Sequence, residues 1–148
     1  MYEFLQRLNP AAAQDFSVGG RVAWATYCRR AGMAAMESGD LPRAVSALEE
    51  AIYAFPFPRS LELLGECLLL EGRPVEAAVY LAAAVGMGGE DQFRPLFLLG
   101  KALAAANDNY VSKMVLQRAL SIAQDDEALK LLDEVRRRST GRTAGEGR

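Results

Sequence analysis

Histidine, the commonest general base and metal ligand near neutral pH, is absent from this 148-residue chain. Composition alone therefore rules out histidine-based nucleophilic triads and histidine-ligated zinc. The two cysteines, Cys28 and Cys67, are too few and too far apart for a four-cysteine zinc site. Each lies in an apolar helical pattern, so both are expected to be buried free thiols in a reducing compartment. Gly86-Met87-Gly88-Gly89 is glycine-rich like a phosphate cradle, but Glu90 and Asp91 follow it where Lys and Ser or Thr are needed. It reads as a turn. The paired carboxylates Glu49-Glu50 and Asp125-Asp126 are adjacent in sequence, and neighbours on a helix point apart. They suit solvated faces, or for Asp125 and Asp126 the start of a helix, where the dipole favours them. No catalytic constellation emerges. The expectation is a protein that is not an enzyme and takes no metal and no cofactor.

Charge narrows the partner class. Residues 39–134 carry eight bases against fifteen acids, whereas 135–148 carry five Arg against one Glu. An acidic body argues against a nucleic-acid partner, which needs a basic face to meet phosphates. No apolar run reaches the roughly 18 residues a membrane-spanning helix requires, so no membrane insertion is expected. The N-terminus lacks the basic start and apolar stretch of a signal peptide. Together with the free thiols, this gives a cytoplasmic expectation.

What positions the remaining side chains is a repeat. Gly32, Gly65 and Gly100 form the first of five columns, followed at a shared spacing by Gly39, Gly72 and Asn107. Ala44, Ala77 and Ser112 come next, then Leu48, Leu81 and Leu116, then Ala51, Ala84 and Ala119. The small residues allow two helices to cross closely, and the leucines fill the space beside them. Gly39, Gly72 and Asn107 suit the left-handed turn that ends a helix. Abundant Ala and Leu favour helix over strand. All six prolines fall at expected element edges: Pro10, Pro42, Pro56, Pro58, Pro74 and Pro95. Ser112 and Asn107 are less ideal than their counterparts, so the final hairpin is expected to be the loosest.

Five columns at a period of about 34 residues resemble the tetratricopeptide repeat over roughly residues 25–124. The resemblance implies an all-α helical-hairpin solenoid of three repeats, near 25–57, 58–92 and 93–124. A short N-terminal helix near 2–8 and a linker through Gly19-Gly20 make up 1–20. The repeat domain covers 21–138, with paired helices near 21–37 and 41–54, 59–71 and 74–86, and 92–105 and 109–123. A capping helix at 126–138 closes the stack. Residues 139–148, without a large apolar side chain, are expected to be a disordered tail.

In this family the first helix of each hairpin lines a concave surface. Carried over by register, the candidate groove residues are Arg29, Met33 and Met36, beside Thr26, in the first repeat. In the second they are Arg59, Glu62, Glu66 and Leu69; in the third, Arg94, Phe97 and Lys101, beside Ala104. Family members that clamp a terminal carboxylate use Lys and Asn at defined groove positions. Here the asparagine-type positions hold Met33, Glu66 and Lys101, and Glu62 and Glu66 would repel a carboxylate. The groove is read as apolar contacts rimmed by Arg and Lys, fit for a protein or peptide segment. The function implied is an adaptor or chaperone-like scaffold. The alternative is a self-associating module, a homodimer or assembly subunit. The size and the stretch Gln92–Leu103 also resemble bacterial chaperones of type III secretion translocators, and the excess of Arg over Lys is associated with GC-rich bacterial genomes.

Overall fold

The computed structural model describes residues 17–88 and 92–146, with side chains as far as 141. Among these residues every regular element is an α-helix: α1 (Val18–Glu37), α2 (Leu41–Ala54), α3 (Pro58–Leu70), α4 (Pro74–Met87), α5 (Phe93–Ala105), α6 (Asn109–Ile122) and α7 (Asp126–Glu146). The chain divides into two compact units, Met1–Gly72 and Arg73–Arg148. The N-terminal helix expected near 2–8 lies outside the described residues.

The first unit holds α1 to α3. Ser17 caps α1, its hydroxyl accepting from the Gly20 amide at 3.0 Å. Gly19 and Gly20 are therefore the first turn of a helix and not a linker: a capping serine overrides the cost of glycine at a helix start. The helix ends where Gly39 takes φ of 79° and donates to the Met36 carbonyl at 3.0 Å, while the Asp40 amide donates to Ala35 at 2.9 Å. Satisfying the last carbonyls in this way needs a left-handed residue, which glycine supplies without strain. Asp40 then caps α2, accepting from the Arg43 amide at 3.2 Å, with Pro42 in the first turn. The α1–α2 hairpin closes over Trp24, Cys28 and Ala51, with Tyr27, Ala31 and Ala54 packed beside them. Gly32 permits the approach, since a Cβ there would sit 2.7 Å from Leu48 Cγ. Pro58 opens α3, whose Leu61, Leu64, Cys67 and Leu68 are buried.

The second unit holds α4 to α7. Its hairpin α5–α6 repeats the same devices: Asn107 takes φ of 63° at the turn, and Asp108 caps α6 by accepting from the Val111 amide at 3.2 Å. A Cβ on Gly100 would meet Leu116 Cγ at 2.6 Å. The expected looseness of this hairpin is not what the structure shows at Ser112. Its buried hydroxyl donates to the Gly100 carbonyl at 2.8 Å, a cross-helix tie that alanine could not make. Asp125 caps α7 through the Ala128 amide at 2.8 Å. Ala128, Leu132 and Val135 of α7 then bury against Phe97, Ala104 and Leu116. The last helix was expected to stop near 138, with a disordered tail at 139–148, but it continues to Glu146. No proline follows Arg138, and Ser139 and Thr140 donate back to the carbonyls of Val135 and Arg136 at 3.1 and 3.3 Å, so nothing ends the anchored helix.

Candidate partner-binding face

Of the ten groove candidates, seven belong to the first unit and three to the second. On α1, Arg29, Met33 and Met36 recur at spacings of four and three, on a face turned away from Cys28, Gly32 and Ala35. Met33 is 37% exposed and Met36 half-buried. Arg29 is held in place: its Cζ lies 5.5 Å over the Phe57 ring, which itself rests 4.9 Å from Phe55. A guanidinium stacked on an aromatic face loses less freedom when it meets a ligand. Thr26 donates to the Val22 carbonyl at 2.9 Å, tying its hydroxyl to its own helix.

The α3 candidates divide by burial. Arg59 is exposed and donates through Nη1 to Glu62 Oε1 at 2.7 Å. Glu62 is buried, with only 12% of its side chain accessible. It was expected to stand open and repel a terminal carboxylate; instead its charge is answered by Arg59, as a buried carboxylate requires. Glu66 and Leu69 are half-buried on the same helix.

In the second unit Arg94 and Lys101 are exposed, but Phe97 is not. It was expected to be an open anchor, yet it is only 8% exposed and belongs to the core formed with Leu116, Leu132 and Val135. Ala104 is covered by the same packing. Register shows which way α5 turns Phe97; it does not show that α7 lies across it. Beside this core, Phe97, Lys101, Glu127, Lys130, Leu131 and Glu134 line a cleft of about 220 Å³. Lys101 Nζ is 3.4 Å from Glu127 Oε1 and 5.6 Å from the Phe97 ring centre. Arg138 pairs with Glu134 across one turn of α7 and also reaches the Ala104 carbonyl at 3.4 Å. Sequence reasoning missed Phe57 and the α7 residues of this cleft. Phe57 sits in a turn, and the α7 side chains gain a role only from the contact with α5.

The arrangement offers little reactive chemistry. Burial, then the charge of Glu50, pushes the Cys28 thiol up to about 12. Burial, then Glu66 and Glu71, pushes Cys67 up to about 11. Both are protonated at neutral pH and poor nucleophiles. Burial also raises the Glu50 carboxyl, with Glu49 beside it adding to the rise. Among the described residues no group of three His, Cys, Asp or Glu is placed to hold a metal. None of their helices is long and apolar enough to cross a membrane.

A family model described as tetratricopeptide repeat matches residues 29–95. No curated protein matches the chain in sequence. Among solved structures, the first TPR of Spaghetti (RPAP3) bound to the HSP90 peptide SRMEEVD superposes with a TM-score of 0.73 at 16% identity, covering 80% of this chain and 98% of that one. The first TPR domain of human RPAP3 gives 0.74 at 15% identity, covering 82% and 96%. The TPR domain of P58(IPK) gives 0.72 at 19% identity, covering 83% of this chain and 34% of that one. At such identities the likeness is one of fold. The repeat columns, the capped hairpins and the model matched over residues 29–95 agree on a fold of tetratricopeptide-type helical hairpins.

Proposed function

We propose that this chain is a non-catalytic adaptor that holds a protein or peptide segment on the α1–α3 face of its first unit, with Met33 as the main apolar contact. The observation that carries the reading is the exposed Met33, set beside half-buried Met36 and the Arg29 guanidinium stacked on Phe57. Methionine adapts to apolar side chains of different shape, and a pre-placed arginine adds direction to the contact. Arg59 and Glu62 are already paired, so this edge needs no new ion pair on binding.

The peptide seen with the Spaghetti domain, SRMEEVD, is acidic at its end. The asparagine-type clamp positions here are Met33, Glu66 and Lys101, which favour an apolar-anchored segment over a terminal carboxylate. A translocator chaperone of type III secretion is a narrower form of the same reading. A cytoplasmic address fits two free, buried thiols.

The test is selection from a random displayed-peptide library on the parent and on Met33→Asp. The parent should enrich sequences with a large apolar residue, and Met33→Asp should lose them while keeping its helicity. Equal enrichment on both proteins would contradict the assignment.

A further inference from the structure

Exposed Met33 and half-buried Met36 leave an apolar strip on α1, one turn from Arg29 and the Phe57 ring beneath it. The chain carries a segment suited to such a strip within residues 1–16, which precede the described helices. Met1, Phe4, Leu5 and Leu8 recur at the i, i+3, i+4, i+7 spacing of one helical face, with Glu3, Gln6 and Arg7 on the other. Two turns of helix do not hold in water by themselves, so this apolar face needs a surface to form on. Pro10 ends the pattern, and Ala11, Ala12 and Ala13 keep the connection to α1 free of bulk.

We propose that residues 1–8 fold back along α1 and cover Met33 and Met36, as a built-in occupant of the partner-binding face. Reach allows it. From Leu8 to Ser17 an extended chain spans about 30 Å. Met33 lies about 24 Å along α1 from the cap at Ser17. A tether this short gives an effective concentration on the order of millimolar, so at micromolar protein the chain's own segment outcompetes that of a second copy. Methionine accepts apolar side chains of varied shape, and a contact of only two turns stays weak enough for a partner segment to displace. That regulatory consequence rests on the reading of this face as the partner site; the covering itself does not.

Oxidation of the full chain by dilute peroxide, read methionine by methionine through peptide masses, tests it, because sulfoxide forms at accessible thioethers. Met33, Met87 and Met114 are 37%, 50% and 52% exposed, so left open they should react at similar rates. With the segment in place, Met33 should oxidise about fivefold more slowly than Met114. Leu5→Asp combined with Leu8→Asp should bring Met33 to within about twofold of Met114 and leave Met87 and Met114 as they were. Slow labelling of Cys28 in that variant shows that the first unit remains folded. No partner is needed for these readings, so they stand or fall apart from the partner-binding assignment. Where that assignment holds, the same variant should bind an enriched peptide about fivefold more tightly, because the face no longer has to be vacated. Parent Met33 reacting as fast as Met114, or protection that survives the double substitution, overturns the proposal. So does protection that appears only as protein concentration rises, which would assign the cover to a second copy.

Discussion

Two glycines decide how closely the hairpins can close. A methyl group on Gly100 would meet Leu116 at 2.6 Å, and one on Gly32 would meet Leu48 at 2.7 Å. Both leucines are fully buried. Gly100→Ala should therefore cost about 1–3 kcal/mol in urea unfolding, the usual price of overpacking. Gly39→Ala meets nothing within 4 Å and should cost only the left-handed strain, about 1 kcal/mol. These roles were legible in the sequence because each glycine recurs in register with a leucine in the facing helix. The thiols allow a second test at this scale. With Cys28 held up at about 12 and Cys67 at about 11, maleimide or disulfide reagents should label the native protein slowly at pH 7–8 and the unfolded chain fast. The ordinary thiol value is 9.0, so above pH 9 the unfolded chain releases these protons before the folded one does. Stability should then fall as pH rises from about 9 toward 11, by the sign of the proton linkage. Fast native labelling at both sites would contradict their burial.

At the level of helices, α7 changes the account most. Its caps and apolar spacing were readable, including the start at Asp126 behind the Asp125 cap. Its far end was not, because 139–146 has no large apolar residue in its sequence to mark a helix. Nor was its placement against α5, which depends on contacts distant in sequence and turns Phe97 from an open anchor into core. Glu62 escaped for a related reason: a carboxylate on an amphipathic pattern gives no sign of being buried until Arg59 is seen beside it. The two large apolar candidates should consequently part company. Phe97→Ala should destabilise by about 3–5 kcal/mol, as loss of a packed aromatic does. Met33→Ala should change stability by no more than about 0.5 kcal/mol, as is usual for a surface position. Thermal or urea melts of both variants check this; similar losses for the two would mean that Met33 is covered as well.

For the molecule as a whole, a repeat fold supplies faces and not a reactive pocket, and the faces here carry different side chains. The first unit turns Met33 and a stacked Arg29 outward. In the second unit α4 turns Val75, Val79 and Met87 outward, and α6 turns Tyr110 and Met114 outward. Fold class was legible from sequence because a repeat states its packing three times over. Which candidate positions stand exposed was legible only in part, since exposure is a property of the folded unit. The central claim, that Met33 and its neighbours hold a partner segment, is tested most directly by fluorescence anisotropy with a labelled peptide enriched on the parent protein. Met33→Ala should weaken binding by about 2 kcal/mol, roughly thirtyfold, with helicity and melting unchanged. Arg118→Glu, on α6, should bind the peptide as the parent does. Parent-like affinity in Met33→Ala, or an equal loss in Arg118→Glu, would contradict the account.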